Sequence, residues 1–406
     1  MKLSLCMIVK NEAFALPKCL QSAKKFVDEI VVLDTGSTDK TPQIARDYGA
    51  KVYDFQWCND FSAARNEALK YVTGDWVLVL DADETLIPSI MPQLKEAIQG
   101  EEYLLINLVR HEVGAIQSPY SMVSRLFRNH PDIRFSRPYH ALVDDSVIEV
   151  LRQEPHWEIG YLQGVAIQHQ GYQQDAISQK NKITKALAAM EDYLASNPQD
   201  PYVYSKLGAL YVEMGKVTQG LELLEQGVGL LQQNYSLPDS EDGMNEDILY
   251  ELYYHLGIAH NRQQLAQQAI YYYREAVKLP IYPLLKLGAY NNLGSTLKAN
   301  GDLVGAKTAY ETAIKIDPNF ATGHYNLGMI QKTMNLYTDA IASYQKAIQL
   351  NPKYADACQN LGVVLLKVGN VKDSVAFFKR AIFLHKKQNP EEAQRLRQGL
   401  QEMGLI

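Results

Sequence analysis

Ile30-Val-Val-Leu-Asp-Thr-Gly-Ser-Thr-Asp-Lys-Thr41 is a short apolar run that ends in an acid, enters a Gly/Ser/Thr turn and meets Pro42 one residue into the next amphipathic segment. A run of that length bounded by turn residues reads as a buried strand, and proline in a first turn suits a helix start. The same grammar repeats on both sides. Residues 3–9, 29–33, 51–55, 76–80 and 103–109 read as strands, and 15–25, 41–48, 62–71 and 90–99 between them as helices. Strand and helix in alternation predict an α/β domain over residues 1–175, with a mostly parallel central sheet covered on both faces.

At 406 residues the chain is long enough for two domains, and 47% hydrophobic with 21% charged residues is ordinary globular composition. A net charge of -6 gives no footprint for a phosphate backbone, so nucleic acid is not an expected partner. Cys6, Cys19, Cys58 and Cys358 contain no Cys-x-x-Cys pair, which argues against a disulfide framework or a structural zinc and favours a reducing cytoplasm. The opening apolar run is too short for a signal peptide and is followed at once by Lys10-Asn11-Glu12. No stretch approaches the roughly 20 apolar residues of a membrane helix, so any membrane contact is expected to be peripheral.

From Pro201 the strand grammar stops. Gly294, Gly328 and Gly362 stand 34 residues apart, and the first two are followed at matching offsets by Ala306, Ala313 and Pro318 and by Ala340, Ala347 and Pro352. That period is the tetratricopeptide (TPR) repeat, in which small residues sit where paired helices cross and proline ends the second helix. Looser units with Gly208, Gly220 and Gly227 and with Gly257, Ala269 and Ala276 precede them, giving an all-α solenoid over 201–390. The polar stretch from Asn234 to Asn245 reads as an inserted loop, and Ile183, Leu187, Met190 and Leu194 mark a linker helix within 176–200. Such arrays act as binding surfaces, and an array without an obvious polar cap invites self-association into a homo-oligomer.

The chemistry concentrates at strand ends. Val79-Leu-Asp-Ala-Asp-Glu84 is an apolar strand finishing in Asp81 and Asp83, whose carboxylates at i and i+2 suit Mg²⁺ or Mn²⁺, although two acids capping a turn would look the same. Ligands of open α/β sheets bind at the carboxyl ends of strands, so Asp34 and Asp81 share one crevice if their strands are neighbours. Asp34 then suits an N–H or ribose hydroxyl, with a cap box around Ser37 and Thr38 as the competing reading. Nucleotidyl transfer would want a glycine-rich basic loop after the first strand, and Lys10-Asn11-Glu12 has no glycine.

Met7-Ile-Val-Lys-Asn-Glu12, Asp34-Thr-Gly-Ser-Thr-Asp39, Asp60-Phe-Ser-Ala-Ala-Arg-Asn66 and Asp81-Ala-Asp83 together resemble the family 2 glycosyltransferases, whose nucleotide-sugar-binding half has the GT-A fold. The resemblance runs from Leu3 to about Tyr172. It implies nucleotide contacts from Asn11, Glu12, Asp34, Arg65 and Asp81, ribose at Asp81 and metal at Asp83. Arg65 could instead be a surface cation paired with Asp60 or Glu67. Ser124-Arg-Leu-Phe-Arg-Asn129, Arg134-Phe-Ser-Arg-Pro-Tyr-His-Ala141 and Ile167-Gln-His-Gln-Gly-Tyr172 look like the acceptor half of a subgroup of that family. His169 is expected to complete a metal set with Asp81 and Asp83, a structural histidine in a tight turn being the alternative.

One departure bears on catalysis. Related sequences commonly carry an acid after the histidine matching His140, and here that place is Ala141. An inverting transferase needs a general base, so His140, Asp144 and Asp145 are the substitutes, unless the two aspartates form only a solvated acidic turn. The expectation is a metal-dependent, inverting transfer from a nucleotide-diphosphate sugar, UDP-sugar favoured, to a peptide, protein or glycan acceptor in the TPR groove. A non-catalytic TPR adaptor with a degenerate nucleotide-sugar domain is the alternative, favoured by Ala141.

Overall fold

The computed structural model describes residues 1–171, 176–234 and 244–405. Tyr172, the Ile183 side chain and most of the expected loop between Asn234 and Asn245 lie outside the described residues. The chain forms two compact units, Met1–Met214 with Gln226–Met244, and Gly215–Glu225 with Asn245–Ile406. The change of sequence pattern at residue 201 therefore does not coincide with the division by contact.

The first unit runs β1 (Leu3–Val9), α1 (Leu16–Ala23), β2 (Glu29–Asp34), α2 (Thr41–Asp47), β3 (Lys51–Asp54), α3 (Phe61–Leu69), β4 (Trp76–Val79), β5 (Glu84–Leu86), α4 (Met91–Ala97), β6 (Tyr103–Glu112), β7 (Tyr120–Arg128), α5 (Asp144–Gln153), β8 (Glu158–His169), α6 (Ala176–Ser196) and α7 (Pro201–Glu213). One eight-stranded sheet has the order β3-β2-β1-β4-β7-β6-β8-β5. Its β3-β2-β1-β4 half is wholly parallel, while β7 and β5 enter antiparallel, so the sheet is mixed. The five expected strands and four expected helices are present. The pattern gave no warning of β5, β7, β8 and α5.

Both faces are covered, which is why the strands read as unbroken apolar runs. On β1, Leu3, Leu5, Met7 and Val9 pack in one core with Leu16, Cys19 and Leu20 of α1. Cys6 faces the other core, which holds Ala64 and Ala68 of α3 and Val147 and Val150 of α5. Asp60 starts α3 because its side chain accepts the Ala63 amide at 3.0 Å, an N-cap bond of the kind typically worth about 1 kcal/mol. In the pairing of β6 with β7, Ile106 faces Leu126 and Leu108 faces Val123, so two residues of β6 span three of β7. This bulge breaks the alternation at Ser124 and Arg125.

Helix α8 (Val217–Asn234) follows, then α9 (Met244–Arg262), α10 (Ala266–Lys278), α11 (Leu287–Ala299), α12 (Leu303–Ile316), α13 (Ala321–Thr333), α14 (Tyr337–Leu350), α15 (Ala355–Lys367), α16 (Val371–Gln388) and α17 (Pro390–Glu402). The repeat glycines have an aromatic partner sixteen residues on. A Cβ built at Gly257, Gly294, Gly328 or Gly362 would lie 2.4, 2.7, 2.8 or 3.1 Å from the ring of Tyr273, Tyr310, Tyr344 or Phe378. The absence of an obvious polar cap is corrected by α17, which seats Ala393 and Leu400 on Phe378 and Ile382 and turns its charged residues outward. Among the described residues, no helix is long and apolar enough to cross a membrane.

Candidate active site

The loops after β1 and β2 brace each other. Asn11 stands at φ 55° and its Oδ1 accepts the Thr38 amide at 2.7 Å, while the Asn11 amide donates to Ser37 Oγ at 2.8 Å. The Glu12 amide reaches Thr41 Oγ1 at 2.7 Å. Asp34, 4% exposed at the end of β2, accepts the Gly36 and Ser37 amides on Oδ2 at 3.2 and 2.9 Å. Its buried Oδ1 has no hydrogen-bond partner among the described residues. The turn reading and the ligand reading of Asp34 thus use different oxygens of one carboxylate. β1 lies between β2 and β4, so Asp34 and Asp81 come off strands two spacings apart, about 10 Å.

Asp81 is gripped by two arginines. Arg65 Nη2 donates to Oδ1 at 2.8 Å and Arg125 Nη2 to Oδ2 at 2.9 Å. Its amide donates to Glu84 Oε2 at 2.8 Å. Crowding opposes the charge, but Arg125 and Arg65 hold the Asp81 carboxyl far below the usual carboxylate range. The side chain stays 34% exposed, so the carboxylate still meets solvent. Arg65 is buried against Phe135 and paired with Asp81, which removes the surface-cation alternative, and its Nη1 has no partner among the described residues. Glu84, fully buried, takes Arg110 Nη1 at 2.7 Å and Arg125 Nη1 at 3.4 Å.

Asp83 faces the other way. Its Oδ2 lies 3.3 Å from His169 Nε2, and His169 Nδ1 lies 2.6 Å from Glu112 Oε2. The sheet builds this: β8 runs between β5 and β6, pairing His169 with Glu84 on one side and Glu112 on the other. Burial opposes protonation, yet the bonds to Asp83 and Glu112 push His169 up to about 9. Glu112, although buried, is pulled down to about 2 by His169 and Arg110.

The expected set of Asp81, Asp83 and His169 needs a correction: Asp81 is turned to Arg65 and Arg125 while Asp83 is turned to His169, and among the described residues no three His, Cys, Asp or Glu side chains gather as a metal cage. Asp83 and His169 remain as a carboxylate and an imidazole converging on one point. The imidazole is oriented through its far nitrogen by Glu112, as metal-binding histidines commonly are. Space is kept there by Gly171, where a Cβ would sit 2.5 Å from His169 Nε2 and 3.5 Å from Asp83 Oδ2. Asp83 and His169 could serve as two protein donors to a hard divalent cation.

On the acceptor side the three base candidates separate. Asp144 and Asp145 are not a solvated turn; they open α5, where the helix dipole favours anions. Asp145 receives Arg137 Nη1 and Nη2 at 2.8 and 3.1 Å and the Ser136 hydroxyl. Asp144 is 6% exposed, accepts Ser124 Oγ at 2.6 Å and leaves Oδ2 without a partner among the described residues. Burial pushes it up to about 6 against the pull of Ser124. His140 is exposed at φ 52°, edge-on to Tyr139, which meets Phe61 and through it Trp57.

Sequence reasoning assigned no role to Glu84, Arg110, Glu112, Ser124 or Arg125. The signal available for Glu84, Arg110 and Glu112 was charge inside otherwise apolar strands. For Ser124 and Arg125 the phrase Ser124 to Asn129 marked the place but not the contacts, because the bulge decides their direction.

The Glycosyl transferase family 2 profile matches residues 4–160, and the TPR repeat profile matches 294–335 and 334–369. The chain is similar to a TPR repeat-containing protein of Synechococcus elongatus, 44% identical over 317 residues covering 78% of this chain and 76% of that one. It is also similar to the glycosyltransferase SunS of Bacillus subtilis, 27% identical over 201 residues, which span 48% of this chain and 45% of SunS. Among solved structures it resembles YrrB, titled a TPR protein with an unusual peptide-binding site, at 16% identity and a TM-score of 0.40 over 52% of this chain and all of that one.

Proposed function

This chain belongs to a family of TPR repeat-containing proteins and carries a glycosyl transferase family 2 domain over residues 4–160, and on that premise we propose that it transfers a sugar from a nucleotide-diphosphate donor, UDP-sugar favoured, with inversion at the anomeric carbon. The observation that carries the reading is the charge cluster at the strand ends. Asp81, Asp83, Glu84 and Glu112 meet Arg65, Arg110, Arg125 and a His169 pushed up to about 9, so the cluster is balanced near neutral pH. A balanced cluster cannot by itself neutralise a departing diphosphate. It can do so with one added divalent cation, whose binding would displace the proton of His169 and still leave a net positive charge.

Mn²⁺ or Mg²⁺ held by Asp83 and His169 would supply that charge to the leaving diphosphate. The remaining work belongs to side chains. Asp34 offers its unused oxygen to a base N–H or ribose hydroxyl, and the Asn11–Thr38 bond keeps the loop carrying Glu12 in register beside it. Arg65 and Arg125 keep Asp81 ionised for the ribose hydroxyls. Acceptor deprotonation falls to His140 or Asp144, the two base candidates outside the Arg137 fork. The array, bracketing residues 294–369 by its repeats, would present a peptide, protein or glycan acceptor.

The test is release of nucleotide diphosphate from UDP- and GDP-sugars with and without Mn²⁺. Folded Asp83→Asn should lose about 10²-fold or more in turnover, the scale of an electrostatic catalytic group. Unchanged turnover would remove the metal role. The adaptor reading is favoured by Ala141 together with the engagement of Asp145 by Arg137. It would prevail if the wild-type chain released nucleotide from no donor while its array still bound a partner.

A further inference from the structure

Arg137 sits between the expected acceptor loop and the first helix beyond the linker. It is 8% exposed and held at φ 73°, a conformation that a bulky residue adopts only when its surroundings fix it. What fixes it is a fork in two directions. Nη1 and Nη2 bind both oxygens of Asp145 on α5, Nη1 also meets Ser136 Oγ at 3.1 Å, and Nε donates to Asp200 Oδ2 at 2.8 Å. The guanidinium also lies 4.8 Å from the centre of the Tyr202 ring. Asp200 is the N-cap of α7, its other oxygen accepting the Tyr202 amide at 3.0 Å.

The segment Arg137 anchors is the one that matters for an acceptor. Ser136 and Leu142 pair through both backbone bonds and close a loop that carries Pro138, Tyr139 and His140. Pro138 accepts the Phe61 amide at 3.0 Å, one helical turn before Arg65 on α3. Through Pro138 the loop is therefore tied to the helix whose Arg65 holds Asp81, and through the adjacent Arg137 to α5 and α7.

We propose that Arg137 is a positioning residue that locks the 136–142 loop, and with it His140, to the N-terminus of α7 through Asp200. The catalytic consequence rests on the glycosyl-transfer reading; the tether itself does not. A planar fork makes this possible, since a lysine ammonium could not hold Asp145 with two parallel bonds and Asp200 with a third.

Asp200→Asn in the full chain isolates the tether, because asparagine caps a helix through its Oδ1 as well as aspartate does, while the amide nitrogen that replaces Oδ2 cannot accept from Arg137 Nε. Arg137→Lys is the companion variant. Hydrogen exchange of the 136–142 amides should quicken about ten-fold in both, the scale of one lost charge-assisted bond, with α7 amides unchanged in Asp200→Asn. Hydrolysis of UDP-sugar should lose about ten-fold in kcat with donor KM unmoved. Unaltered exchange in the loop overturns the tether, and a change in donor KM with kcat intact overturns the positioning role. A wild-type chain that hydrolyses no donor ends the glycosyl-transfer reading and the positioning role with it, while the exchange result still decides the tether.

Discussion

Replacing Asp144 by asparagine should make the sheet domain more stable above pH 6 and leave it unchanged below pH 4. Asparagine has the same shape and still accepts the Ser124 hydroxyl, so the perturbation is the loss of an ionisable group in a buried place. The folded chain holds the Asp144 proton up to about pH 6, whereas the unfolded chain releases it near 3.8. Between those values the folded state binds more protons than the unfolded one, so the wild type loses stability as pH rises through that window. About two pKa units at 1.36 kcal/mol each give a penalty of about 3 kcal/mol above pH 6, an upper figure because burial is relieved by small movements. Urea unfolding at several pH values from 3.5 to 8 would measure it. Trp57, Trp76 and Trp157 all fall in the sheet domain, so tryptophan emission reports that unit rather than the repeats. A stability difference that stays flat across pH would refute the buried, proton-holding carboxyl. The same variant bears on the base: a drop of about 10²-fold or more in transfer assigns the role to Asp144, and retained turnover leaves it with His140.

Gly328→Ala places a Cβ 2.8 Å from the Tyr344 ring, and overpacking of that kind should cost about 1–3 kcal/mol in the repeat transition followed by circular dichroism, with tryptophan emission unchanged. Arg125→Met strips Asp81 and the fully buried Glu84 of a shared cation, for which the usual cost of a broken buried pair is about 3–5 kcal/mol. Adding Glu84→Gln to Arg125→Met should recover part of that loss, and additive effects in the double variant would deny the coupling.

Much of this molecule is written locally. The acids that end β2 and β4 announce themselves because an apolar run can finish in a carboxylate only where the chain leaves the core. The Asp60 cap is legible in the same way, and the 34-residue spacing of Gly294, Gly328 and Gly362 declares the array without any knowledge of contacts. These features depend on residues a few places apart, or on repetition, and a sequence displays both directly. The rest depends on which distant strand lies beside which. Arg125 reaches Asp81 because a bulge in β7 turns it there, and Glu112 orients His169 because β8 runs between β5 and β6. The polar end cap, α17, becomes recognisable only when Phe378 and Ile382 are seen beneath it. Nor does a run of carboxylates say which of them an arginine will claim. Asp81 and Asp83 are two residues apart in the chain, yet tertiary pairing sends one to Arg65 and Arg125 and leaves the other facing His169.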